Sequence, residues 1–82
     1  MIIANTEVRE LIIEIPDGHM HLRATISLHD GRSFTFHEAT IANLVRAYIT
    51  IKTHPQLNKI RLTGRKLVER KEGYAEWQLV EE

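Results

Sequence analysis

Between Met20 and Leu28 the chain alternates. Met20, Leu22, Ala24, Ile26 and Leu28 are apolar, and His21, Arg23, Thr25 and Ser27 between them are polar. A period of two puts the first set on one face of an extended chain, the pattern of a half-buried antiparallel strand. Phe34 and Phe36 resume the alternation and predict a short following strand. From Glu38 to Lys52 the period becomes helical, with Ile41, Leu44, Val45, Tyr48 and Ile49 at i, i+3, i+4, i+7 and i+8. They form one apolar stripe. Thr35-Phe36-His37-Glu38 has the spacing of a capping box, which starts the helix at His37 or just before it. Arg46 and Lys52 lie toward its C-terminal half, where the helix dipole favours cations.

Beyond Pro55, Leu57 to Arg70 reads as a long strand. Ile60 and Leu62 alternate with Lys59, Arg61 and Thr63, Gly64 suggests a bend or bulge, and the alternation then shifts to Leu67. Tyr74 to Val80 is the last strand, with Ala75, Trp77 and Leu79 on one face. The first segment, Glu7 to Ile15, fits either form: Leu11, Ile13 and Ile15 suit a strand, and Val8, Leu11, Ile12 and Ile15 suit a helix. Its three isoleucines within four positions favour the strand, because β-branching restricts χ1.

Turn chemistry separates these pieces. Pro16-Asp17-Gly18 combines a preset φ, a side chain that bonds its own backbone and a residue tolerant of positive φ. Asp30-Gly31 suits a tight hairpin. Thr53-His54-Pro55 ends the helix, and Gly73 can close a last hairpin at Arg70–Tyr74. The resulting order is β-β-β-α-β-β. Hairpin connections need no crossover, so the expected fold is α+β: a two-layer sandwich of one mostly antiparallel five-stranded sheet with a single helix on one face. Its 82 residues suffice for one domain spanning 1–82.

Composition narrows the function classes. Apolar residues are 43% and charged residues 27%, with a formal net charge of zero, which excludes a disordered polyelectrolyte. Cysteine is absent, so disulfides, thiolate metal sites and thiol catalysis are excluded. No apolar run reaches the roughly 18 residues of a membrane span, and the first residues do not read as a signal peptide. A cytoplasmic protein without membrane contact is the expectation.

The chemistry-bearing residues do not assemble into a reaction centre. The five histidines, His19, His21, His29, His37 and His54, show neither His-x3-His nor His-Glu-x-x-His spacing, so no metal site is expected. Ser27 and Ser33 lack a nucleophile-elbow context. Glu10 and Glu14 read as solvated strand residues, and the four glycines form no phosphate loop. No cofactor is expected.

Two surfaces remain. With the helix on one face of the sheet, the other face stays uncovered. If Leu11, Ile13 and Ile15 point to the helix, then Val8 and Ile12 point away, joined by Tyr74 and Val80. That group suggests an interface, most simply between two copies about a two-fold axis. The second surface is basic: Lys59, Arg61, Arg65, Lys66, Arg70 and Lys71 lie in a stretch whose only acid is Glu69, whereas Glu7 to Asp17 holds four acids and Arg9. The reading of choice is a non-catalytic protein-interaction or self-associating module using its open sheet face. A nucleic-acid-binding module using residues 59–71 is the alternative. A small enzyme or ligand-binding domain with its site between subunits comes third.

Overall fold

The computed structural model describes residues 1–66 and 77–81. After a 3-10 turn at Asn5–Glu7 come β1 (Val8–Glu14), β2 (Arg23–Leu28), β3 (Ser33–His37), α1 (Glu38–Thr53), β4 (Leu62–Lys66) and β5 (Trp77–Glu81). This is an α+β chain in the expected order. Its strands do not make one five-stranded sheet. They form two antiparallel sheets, β1-β2-β3 and β4-β5. Among the described residues each strand pairs only with a sequence neighbour, because turns join successive strands, whereas alternation alone says nothing about which distant strands meet. The chain divides into two compact units, Met1–Ala42 and Asn43–Glu82.

In the first unit the opening segment is a strand. Its ladder with β2 runs from Glu14 opposite Arg23 to Val8 opposite Leu28. Beyond Glu14 the chain meets Pro16, which has no N–H to donate. The turn closes with the His19 N–H donating to the Pro16 carbonyl at 3.0 Å, and Gly18 adopts φ 78°. Consequently Met20, His21 and Leu22 precede β2, although their alternation suggests a strand from Met20. They pair with no strand among the described residues, and Met20 is exposed.

The β2–β3 hairpin is held at both ends. The Leu28 N–H donates to the Arg32 carbonyl at 2.9 Å, and the Gly31 N–H returns to the Leu28 carbonyl at 3.1 Å. Gly31 has φ 94°, as a three-residue loop ending in a left-handed residue requires. Asp30 accepts the Arg32 backbone N–H at 2.9 Å and its Nε–H at 2.7 Å. The backbone hydrogen bond from Arg32, more than the guanidinium, holds the Asp30 carboxyl below its ordinary range.

The expected capping box does not form. Thr35 is a β3 residue whose hydroxyl lies 3.1 Å from that of Thr25 across the ladder. Ladder pairing has claimed the residue that would cap the helix. Glu38, the first helical residue, instead accepts from the His21 Nδ1 at 2.9 Å and the Leu22 N–H at 3.4 Å. Its carboxylate sits where the helix dipole favours negative charge.

In the second unit, α1 closes with the Thr50 and Thr53 hydroxyls donating to the Arg46 and Ile49 carbonyls, each at 2.8 Å. The His54 N–H donates to the Thr50 carbonyl at 3.1 Å, and Pro55 follows. Strand structure does not begin at Leu57 as expected. The Leu57 N–H closes a turn on the His54 carbonyl at 2.9 Å, and residues 57–61 are irregular. The β4–β5 ladder runs without interruption from Leu62 opposite Glu81 to Lys66 opposite Trp77. Gly64, opposite Leu79, is an ordinary ladder residue and not a bulge. The expected shift at Leu67 and the turn at Arg70–Tyr74 lie outside the described residues.

Candidate interaction surface

Register decides what each face of the three-stranded sheet presents. Directly opposed residues in antiparallel strands project to the same side. One face therefore holds Val8 with Leu28, Leu11 with Ile26 and Phe34, and Ile13 with Ala24 and Phe36. The other holds Glu10 with Ser27 and Ser33, Ile12 with Thr25 and Thr35, and Glu14 with Arg23 and His37. One face is wholly apolar. The other is polar except for Ile12.

Strict alternation would not put Val8 beside Leu11. The register shifts between Val8 and Glu10, leaving Arg9 as the extra residue of a β-bulge. An extra residue reverses parity, so Val8 joins Leu11 and Ile13. This corrects the sequence-based expectation that Val8 and Ile12 share the uncovered face. Of the other two expected members, Val80 lies opposite Thr63 in the second sheet, and Tyr74 lies outside the described residues.

Burial grades across the apolar face. Among the described residues only Leu28, at 2% exposure, and Ala24, at 8%, are buried, and both belong to the central strand β2. Ile26, Phe34 and Phe36 are half-buried. On the edge strand β1, Leu11 and Ile13 are 57% and 58% exposed. Ile15, just beyond β1, is equally open. On this sheet face the exposed apolar surface is thus concentrated along β1.

A second apolar surface lies on α1, none of whose residues is buried. Leu44, Val45, Tyr48 and Ile49 are 50–65% exposed. The helical period that marks them in the sequence as a core-facing stripe therefore marks four well-exposed side chains.

The described basic residues do not lie on one strand. Lys59 and Arg61 lie in the irregular stretch before β4, not on a strand face shared with Thr63, and both are exposed. Arg65 and Lys66, also exposed, are consecutive β4 residues and project to opposite sides. Arg70 and Lys71 lie outside the described residues. Among the described residues no group of three or more His, Cys, Asp or Glu could hold a metal ion. The His21–Glu38 contact carried no signal in the sequence, since 17 positions separate its partners. No described helix is long and apolar enough to cross a membrane.

Compared with protein-family models, with curated proteins and with solved structures, the chain matches none of them.

Proposed function

We propose that the protein is a non-catalytic, self-associating module that buries its exposed apolar positions against a second copy of itself. The observation that carries this reading is the exposure of residues whose spacing is that of a core: Leu11 and Ile13 on β1, and Leu44, Val45, Tyr48 and Ile49 on α1. Isolated surface hydrophobes are ordinary. Contiguous rows of them on a sheet edge and along a helix are the mark of an interface. Covering one such side chain contributes about 1–2 kcal/mol, so a few of them decide between monomer and dimer. In this reading the open surface of the three-stranded sheet is its apolar face, not the polar face carrying Ile12.

The test is molar mass against concentration by sedimentation velocity, for the wild type and for Ile13→Asp. The wild type should dimerise, and Ile13→Asp should remain folded by circular dichroism with self-association weakened at least tenfold. An unaltered dimer for Ile13→Asp would remove the β1 face from the reading.

Nucleic-acid binding is the second reading, supported by the exposure of Lys59, Arg61, Arg65 and Lys66. The division of Arg65 and Lys66 between two faces makes it the weaker of the two. Titration with a short RNA at two salt concentrations tests it. Phosphate contacts would weaken steeply with salt, and absence of binding at low salt would dispose of the reading.

A further inference from the structure

The helix stripe is bounded by charges of opposite sign. Glu38, Val45 and Lys52 are spaced by seven residues, and Ile41 and Tyr48 by seven, all within the single helix Glu38–Thr53. At 3.6 residues per turn a seven-residue step returns to almost the same face. Glu38, Ile41, Val45, Tyr48 and Lys52 therefore form one seam, flanked by Leu44 and Ile49. The acid stands at its N-terminal end and the base at its C-terminal end, each seven residues from Val45.

We infer that two copies pair along this seam as antiparallel helices, related by a two-fold axis that passes by Val45. The inference rests on the self-association proposed above and specifies its geometry. An axis at Val45 sets Ile41 against Ile49 of the second copy and Glu38 against its Lys52, twice over. A parallel pair would instead set Glu38 against Glu38 and Lys52 against Lys52. The end charges thus favour one orientation and oppose the other. Antiparallel packing also opposes the two helix dipoles favourably. Glu38 remains able to take part while holding His21, because a carboxylate accepts several donors. The four exposed apolar side chains offer roughly 400 Å² per copy, about half of the ~800 Å² each partner gives to a standard interface. The seam sets the orientation, and further surface is required for a tight dimer.

Charge exchange tests the geometry. Lys52→Glu creates two Glu–Glu oppositions and should raise the dimer dissociation constant about tenfold at low salt, with a smaller effect at 0.5 M salt. Glu38→Lys should do the same. The doubly exchanged protein should return to within about threefold of the wild type, and a mixture of the two single variants should form a heterodimer. Because Glu38 also contacts His21 and Leu22, a second measurement avoids altering it. The chain has no cysteine, so Ile41→Cys and Ile49→Cys can be mixed and oxidised. Antiparallel pairing predicts cross-linking between the two variants and none within Ile41→Cys alone. A dimer insensitive to both exchanges, or Ile41→Cys cross-linking to itself, overturns the antiparallel seam and leaves self-association standing. A wild type that stays monomeric overturns both.

Discussion

Gly18 and Gly31 hold positive φ at the two turns that precede β2 and β3, and an added Cβ at either would meet nothing within 4 Å. The cost of a side chain there is conformational strain alone. Gly31→Ala should therefore lower stability by about 1 kcal/mol, measured by urea denaturation. Gly64 differs: it has no positive φ, and a Cβ would sit 3.9 Å from Leu79 Cδ2, in ordinary contact. Gly64→Ala should be neutral or raise stability by about 0.5 kcal/mol, since alanine restricts the unfolded chain more than glycine does. The first two glycines are legible in the sequence, because Pro16, Asp17 and Asp30 supply the remaining turn chemistry. Gly64 is not, because a glycine within a strand pattern suggests a bulge with or without one. Asp30 makes a pH-dependent contribution. Its carboxyl titrates below the ordinary range, so what it adds to the hairpin is complete above the usual aspartate value of about 3.9. That contribution is lost as pH falls through the lower folded value. The Asp30 carbon chemical shift should report this titration, and the Arg32 amide shift should follow it. An ordinary aspartate midpoint would contradict the turn geometry.

At the scale of elements, the bulge at Arg9 is the feature with the largest consequence. It converts a strand whose apolar residues seem divided between two faces into one that commits Val8, Leu11 and Ile13 to a single face. Substitutions one position apart should therefore behave differently. Ile13→Asp should weaken self-association at least tenfold, whereas Ile12→Asp, among Thr25, Glu10 and Glu14, should change it by less than threefold. Equal effects from the two would contradict the register. The strand itself was legible from its isoleucines, and β2 and β3 from their alternation. The bulge was not, because Arg9 is neither a glycine nor a turn former and its extra place emerges only from pairing with β2. Similarly, the spacing Thr35 to Glu38 satisfies a capping box, yet Thr35 belongs to a ladder that the local motif does not register. The helix is legible almost to its ends because Pro55 fixes one terminus and the apolar stripe spans the rest.

For the whole molecule, the order of elements was legible and the arrangement of strands into sheets was not. Alternation specifies which side chains share a face, and turns specify neighbours, but neither says that β4 and β5 hydrogen-bond apart from β1, β2 and β3. The candidate surface was legible only in part. Strict alternation places Ile12 and Val8 on one face and makes the basic stretch one strand, and it fails at the bulge and in the irregular segment. What survives is the conflict between a core-like sequence pattern and an exposed position, at Leu11 and Ile13 on β1 and along α1 from Leu44 to Ile49. Burial against a second copy resolves that conflict. Sedimentation velocity of the wild type from low to high micromolar concentration tests it most directly. The account predicts a concentration-dependent shift toward twice the chain mass of 9.5 kDa, and a single chain mass across the whole range would contradict it.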